Sequence, residues 1–135
     1  MPNKPLPHPG AWDEPFWANA RRGVLSVQRC RSCGRLQFYP RPVCVNCFAR
    51  TLEWHPVSGR GRVLSFTFVH APVHPAFKPE VPIILAEIEL AEGVRMLSRI
   101  VNCEPADLAL DKPVIVVFLE TADEAIRLPH FELAR

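Results

Sequence analysis

Two Cys-x-x-Cys pairs separated by ten residues constrain this chain more than any other feature of its sequence. The first pair is Cys30 and Cys33, and the second is Cys44 and Cys47. Each pair predicts a tight turn, or knuckle, and two knuckles that face each other supply the four thiolates of a tetrahedral zinc site. Gly34 follows the first pair, where a residue that tolerates positive φ lets backbone N–H groups turn back towards the sulfur atoms. The spacing therefore predicts a four-cysteine zinc site that holds a short segment together.

Other uses of four cysteines are also open to such a chain. Iron in a rubredoxin-like site takes the same ligands, and two disulfides would use the same number of cysteines. Residues 1–12 are rich in proline and have no apolar signal-peptide core, so we expect a reducing cytoplasmic location, which favours metal over disulfides. A redox pair of the thioredoxin kind occurs beside a βαβ pattern, and this sequence does not show one. These observations favour zinc in a closed, structural site.

Charge is distributed unevenly along the 135 residues, although the formal net charge is only +2. No Asp or Glu occurs between residues 15 and 52, a segment that we call the acid-free stretch. It carries seven arginines: Arg21, Arg22, Arg29, Arg31, Arg35, Arg41 and Arg50. Part of this charge screens an anionic zinc–thiolate centre, and part indicates a partner that carries phosphates or carboxylates. No apolar run approaches the roughly 18 residues of a membrane span, so we expect no membrane partner.

The chain around the cysteines predicts a short helix and two strands. Asp13 and Pro15 suit the first turn of a helix over residues 16–22. Residues 24–29 and 52–54 are predicted to be strands that enter the first knuckle and leave the second. We expect three parts: an arm with a short helix at 1–23, a zinc ribbon at 24–57 and an OB-fold at 58–135.

The remainder of the chain predicts a five-stranded barrel. The alternating pattern gives strands at residues 61–71, 83–90, 94–101, 114–120 and 126–131. In the first of these, Leu64, Phe66 and Phe68 are expected on one face. A helical turn within 104–109, between the third and fourth strands, matches the element order of an OB-fold. The prolines of residues 72–82 indicate an extended loop rather than a helix.

Taken together, these motifs resemble one family of acyl-CoA-associated proteins, catalogued as a domain of unknown function. Its members join an N-terminal rubredoxin-like zinc ribbon to a C-terminal OB-fold. The resemblance covers nearly the whole chain. It rests on Phe16-Trp17 with Arg22-Gly23, Cys30-Arg31-Ser32-Cys33-Gly34, Pro40-Arg41-Pro42-Val43-Cys44, Ser58-Gly59-Arg60-Gly61-Arg62-Val63, His74-Pro75-Ala76-Phe77, Glu92-Gly93-Val94-Arg95 and Leu128-Pro129-His130-Phe131. The sequence departs from the family pattern at Phe48, where glycine is usual after the second pair, and at Ile83, where an aromatic residue is common.

The resemblance implies an accessory subunit of thiolase-superfamily enzymes, which include thiolases and lipid-transfer-protein-type aldolases. In that family the larger subunit performs the chemistry, and the zinc ribbon and helix dock on it. The OB protein helps to form the site for the coenzyme A thioester. The resemblance thus implies structural zinc as the cofactor, acyl-CoA as a shared ligand and no turnover by this chain alone. No nucleophile in this sequence lies at motif spacing from a base, which agrees with that expectation.

The sequence also indicates which residues contact the partner or the coenzyme. Aromatic residues at the entrance of the short helix, Trp12, Phe16 and Trp17, are too apolar to be left in water, so we expect them to anchor a partner. The loop between the first two barrel strands is a common ligand-binding position in OB-folds. Our candidate interface or CoA-binding residues are Trp17, Arg22, Arg41, His74 and Phe77.

A function from a different class is open to the same architecture. Zinc ribbons and OB-folds both bind RNA or single-stranded DNA, and arginines alternate here with Phe38, Tyr39 and Phe48. A groove that follows a phosphate backbone is basic, whereas the chain outside the acid-free stretch is net negative. The charge distribution therefore favours the acyl-CoA interpretation over nucleic acid.

Overall fold

The computed structural model describes residues 4–134, which contain one short α-helix and eight β-strands. The helix is α1 (Glu14–Arg21). Three strands form an antiparallel sheet in the order β2-β1-β3, with β1 at Ser26–Cys30, β2 at Leu36–Gln37 and β3 at Leu52–Pro56. The other five close a barrel in the order β4-β5-β6-β8-β7, with β4 at Arg60–Val69, β5 at Ile83–Leu90, β6 at Arg95–Ile100, β7 at Pro113–Glu120 and β8 at Arg127–Leu133. The predicted mainly β fold class is confirmed.

Local sequence explains where α1 begins and ends. Asp13 occupies the N-cap position, and a proline lies in the first turn, where its fixed φ suits a helix. Gly23 follows the helix with φ of 78°, a conformation that favours glycine. Phe16 and Ala20, four residues apart and therefore on one face, are buried. No helix among residues 4–134 has the length and apolar character needed to cross a membrane.

The ribbon sheet and the barrel share one hydrophobic core. Phe16 of α1 belongs to the same buried cluster as Val27 of β1 and the barrel residues Ile88 and Phe131. A helix of two turns is marginal by itself, so this packing is what stabilises α1. The division of the chain at residues 23 and 57 stays a prediction.

A β-bulge in β4 adds a residue to the expected inner face. Val63 pairs with Ile88 and Ser65 pairs with Glu87, which leaves one extra residue in β4 between them. Phe66 and Phe68 pack against the core as expected, and Val63, of the opposite parity, is fully buried as well. An extra residue shifts the alternation of a strand, which a strict period of two does not anticipate.

The loop between β4 and β5 differs from the extended segment that its prolines predicted. A 3₁₀ helix spans Pro75–Glu80. The prediction was wrong because the fixed φ of proline also suits the first turn of a helix, and His74 Nδ1 caps this turn by accepting a hydrogen bond from Ala76 N at 3.1 Å. The helical turn predicted between the third and fourth barrel strands is present at Pro105–Asp107.

Candidate metal centre and ligand groove

Two knuckles with the same backbone shape bring the four cysteines together. Gly34 N donates to Cys30 O at 2.7 Å in the first knuckle, and Phe48 N donates to Cys44 O at 2.9 Å in the second. Gly34 has φ of 78° and Phe48 has φ of 63°. The second knuckle therefore uses the left-handed conformation without glycine, at a cost of about 1–2 kcal/mol.

The geometry of the four sulfur atoms fits a zinc ion. All four Sγ atoms lie within 4.8 Å of one another. The Sγ atoms of Cys30 and Cys47 are 3.6 Å apart, and those of Cys33 and Cys44 are 3.7 Å apart. Zn–S bonds of about 2.3 Å in a tetrahedron separate the sulfurs by about 3.8 Å. The cysteines therefore enclose the space that one tetrahedral ion requires.

The electrostatics of the cysteines also suit a metal. The backbone N–H of Cys33 is the main cause that lowers the pKa of Cys30 to about 6, and the backbone N–H of Cys47 lowers the pKa of Cys44. The amide of Ala49 lowers the pKa of Cys47, but the neighbouring thiol of Cys30, burial and the other cysteines together raise it to about 11. A divalent cation stabilises all four groups as thiolates, including that of Cys47.

Buried amides connect the second knuckle to β1, and sequence analysis missed them. Gln28 and Gln37 are each 5% exposed, and Gln37 Nε2 donates to Gln28 Oε1 at 2.8 Å. Val45 N donates to Gln37 Oε1 at 2.9 Å, and Arg41 N donates to Gln28 Oε1 at 2.8 Å. The available signal was the pair of glutamines at strand positions that face the ribbon interior. This network fixes the backbone on both sides of Cys44.

A groove of about 1550 Å³ lies between the ribbon and the barrel. It is lined by the N-terminal arm, α1, the ribbon loop 38–41, the loop after β4 and parts of β5, β6, β7 and β8. Three of the five candidate interface or CoA-binding residues line it: Trp17, Arg41 and Phe77. Arg22 and His74 are not among the lining residues. The structure therefore brings together part of the predicted set.

The aromatic residues of α1 have different environments. Phe16 is 4% exposed and packs at 5.0 Å, edge to face, against Trp17. Trp17 is half-buried, and its Nε1 donates to Asp13 Oδ2 at 3.1 Å. Trp12 is 56% exposed. The expectation that Phe16 anchors a partner is corrected, because this ring is part of the chain's own core.

The two candidates outside the groove have local partners. The Arg22 guanidinium donates to the side chain of Asn19 at the end of α1. His74 uses Nδ1 to cap the 3₁₀ helix, and its ring centroid lies 6.0 Å from that of Phe77. His74 therefore holds the loop that carries Phe77 into the groove.

The hydroxyl of Tyr39 ties the ribbon loop to the barrel. It accepts a hydrogen bond from Leu97 N of β6 at 3.1 Å. Both residues line the groove, and their side chains are 44% and 55% exposed respectively. The loop is therefore held against β6 at the edge of the groove.

A polar cluster at the groove, which sequence analysis also missed, joins the arm to three parts of the barrel. Arg99 Nη1 lies 2.8 Å from Glu80 Oε1, and Lys4 Nζ lies 2.5 Å from Glu80 Oε2. Burial, and then the positive charge of Arg99, lower the pKa of His130 to about 4. His130 is thus neutral at pH 7.

We expect His130 to make the protein less stable in acid. The unfolded state binds a proton at a pKa of 6.5 and the folded state only at about 4, so the contribution of neutral His130 is complete above pH 6.5 and is lost as the pH falls through 4. The free energy of urea unfolding, measured across this range, should fall less steeply for His130→Gln than for the wild type. His70→Gln, at an exposed histidine, should keep the wild-type slope. Equal slopes for His130→Gln and the wild type would contradict this prediction.

Comparison with known proteins connects the ribbon and barrel to one family. The model described as "ChsH2, rubredoxin-like zinc ribbon domain" matches residues 17–53, and the model described as "ChsH2, C-terminal OB-fold domain" matches residues 54–119. A "DUF35 domain-containing scaffold protein" of Methanocaldococcus jannaschii is 37% identical over 99 residues, which cover 72% of this chain and 69% of that protein. The chain belongs to the DUF35 family. Its four cysteines are the zinc site of a DUF35 ribbon, and with four protein ligands the zinc is structural.

Other relatives of this DUF35 chain are named as subunits. A "Probable enoyl-CoA hydratase alpha subunit" of Thermomonospora curvata is 37% identical over 125 residues, which cover 90% of this chain but 38% of that protein. A "Benzoylsuccinyl-CoA thiolase subunit BbsA" of Geobacter metallireducens is 32% identical over 76 residues, 56% of this chain and 49% of that protein. The chain thus spans less than half the length of these two relatives.

A solved structure has the same fold over nearly its whole length. It is titled "Ltp2-ChsH2(DUF35) aldolase", and its matching chain superposes with a TM-score of 0.84 at 32% identity. The match covers 95% of this chain and 98% of that chain. The ribbon, helix and barrel of this DUF35 chain therefore have the arrangement of that protein.

Proposed function

We propose that this DUF35 chain is a non-catalytic accessory subunit of a thiolase-superfamily enzyme, and that its groove helps to hold the acyl-CoA ligand at the subunit interface. The main support for this proposal is the lining of the groove. Trp17 and Phe77 offer apolar walls, and the exposed guanidinium of Arg41 offers a cation. Apolar walls with one or two placed charges suit a ligand that has an acyl chain and phosphates.

The names of the relatives support the same role. One is named as a thiolase subunit for a CoA ester, one as the alpha subunit of an enoyl-CoA hydratase, and the solved structure is titled as an aldolase that contains Ltp2 and ChsH2. Two of these proteins are much longer than this chain, so we propose for this chain the role of a subunit rather than their whole activities.

A division of labour follows from the proposed role. Zinc with four cysteine ligands has no open position, so it stabilises the ribbon and leaves the bond-breaking step to groups on the partner. Arg41 pairs with ligand phosphate, while Trp17 and Phe77 exclude water from the apolar part. We propose a cytoplasmic location, because the described cysteines are free thiols or metal ligands, which a reducing compartment preserves.

We expect Arg41→Glu to weaken acyl-CoA binding by about tenfold or more, since a hydrogen bond to a charged group contributes about 1.5–3 kcal/mol. The measurement is calorimetric titration of acyl-CoA into the full chain bound to the thiolase-superfamily subunit of the same host. Arg60→Glu, an exposed arginine of β4 outside the groove, is the matched control and should bind as the wild type does.

Two results would count against the proposal in different ways. Wild-type affinity in Arg41→Glu would show that the groove is not the ligand site. Failure of the wild-type chain to form a complex with any thiolase-superfamily protein of its host would remove the proposed subunit role.

A further inference from the structure

The second knuckle presents an apolar tip to solvent. The side chains of Val45 and Phe48, which we call the knuckle tip, are 59% and 76% exposed. Phe48 also has φ of 63°, in the left-handed region that favours glycine. The first knuckle makes the same turn with Gly34 at φ of 78°. Phe48 therefore costs the isolated chain both backbone strain and exposed apolar surface, with no packing in return.

Arginines lie in the segments next to the knuckle tip. Arg31 and Arg50 are exposed, and Arg31 N donates to Thr51 O at 2.8 Å, which places the two arginine segments side by side. Arg35 donates to the side chain of Asn46, within the knuckle, at 2.8 Å. The whole ribbon up to residue 52 lies in the acid-free stretch. A partner surface that covers the tip therefore needs carboxylates around an apolar recess.

The knuckle tip is separate from the groove and is held in place. Neither Val45 nor Phe48 lines the groove, whose ribbon wall is the loop 38–41. Val45 N is fixed by Gln37 Oε1, and Phe48 N closes the turn on Cys44 O at 2.9 Å. Because the backbone is already fixed, burial of these side chains costs no further backbone freedom, which favours their use as anchors.

We propose that the knuckle tip anchors this chain to the thiolase-superfamily subunit, with Phe48 in an apolar recess of the partner and Arg31 and Arg50 paired with carboxylates at its rim. This inference rests on the proposed function and adds a contact surface away from the groove. Large apolar residues that are desolvated at the centre of a contact, with charges at its edge, carry most of the affinity of such interfaces.

Phe48→Gly tests the proposal because it removes the side chain and also removes the backbone strain at positive φ. The full chain should keep one zinc and melt at the same or a higher temperature, while its dissociation constant for the thiolase-superfamily subunit rises tenfold or more. That subunit is first identified by its co-purification with the tagged wild-type chain and then titrated as a purified protein. Leu110→Ala, at a barrel residue that is 60% exposed, is the control and should bind as the wild type does.

Phe48→Asn provides a second variant, because asparagine tolerates the left-handed conformation and is polar. It should weaken association as Phe48→Gly does. Arg50→Glu should weaken association further and reduce its dependence on salt. Wild-type affinity in both Phe48 variants overturns the inference, and so does loss of zinc in both, because Phe48 would then serve the fold. If the wild-type chain binds no thiolase-superfamily subunit, this inference fails together with the proposed function. If the wild-type chain binds the subunit and the Phe48 variants bind equally well, only this inference fails.

Discussion

Replacement of Cys44 by serine should remove the zinc and unfold the ribbon. Cys44 is 1% exposed, and its Sγ lies 3.7 Å from that of Cys33, among the four sulfur atoms that enclose the metal position. Structural zinc contributes about 10–16 kcal/mol in small zinc domains at neutral pH. The ribbon sheet is small, with only two residues in β2, and cannot replace that contribution by packing. Metal analysis by mass spectrometry and amide hydrogen exchange of residues 24–57 measure the two effects.

The fifth cysteine supplies the control for this experiment. Cys103 is half-buried on the barrel, where its thiol donates to Glu104 O at 3.3 Å. Cys103→Ser should keep one zinc per chain and a protected ribbon. Stoichiometric zinc in Cys44→Ser, or no stoichiometric metal in freshly purified wild-type protein, would show that the four cysteines do not form the expected site.

Phe131→Ala should destabilise the barrel by about 3–5 kcal/mol, which is the usual cost of a cavity left by a buried aromatic ring. Phe131 is 0% exposed and is among the largest fully buried side chains. Phe131 pairs with Ile100 of β6 on one side and with Val116 of β7 on the other. It therefore lies in β8 at the point where this strand joins β6 to β7 in the closed barrel. The loss is a large part of the total of about 5–15 kcal/mol that is usual for a domain.

Equilibrium unfolding in urea, with zinc present throughout, measures this loss. Phe48→Ala is the matched control, because the same truncation at a ring that is 76% exposed removes little buried surface. We expect this control to change the free energy of unfolding by less than about 1 kcal/mol. A similarly small change for Phe131→Ala would mean that the closure of the barrel does not depend on this ring.

Sequence patterns predicted the fold where the physical signal is local. The spacing of the cysteines predicted the metal site, and the largely apolar, period-two pattern predicted β5 over Ile83–Leu90. The bulge in β4 and the 3₁₀ helix at Pro75–Glu80 were not predicted. A bulge depends on the pairing with the neighbouring strand, and a proline-rich loop suits both extended and helical backbone, so neither follows from the segment alone.

The site was less predictable because distant segments form it. Trp17, Arg41 and Phe77 come from the helix, the ribbon and a barrel loop, and only the docking of ribbon on barrel brings them to one groove. Phe16 is next to Trp17 in sequence but faces the core, and its spacing from the buried Ala20 was the available clue. The cluster of Glu80, Arg99 and His130 depends on the order of strands in the barrel, which periodicity does not define.

The hydrogen bond from Leu97 N to the Tyr39 hydroxyl should couple the binding of zinc to the binding of any ligand in the groove. One wall of the groove is a ribbon loop, and we expect that loop to keep its shape only while the metal holds the ribbon together. By thermodynamic reciprocity, the free energy that zinc adds to ligand binding is the same free energy that the ligand adds to zinc retention. A bound ligand should therefore slow the transfer of zinc to a chelator. Loss of zinc should lower the affinity of the groove for its ligand, although zinc contacts no residue of the barrel.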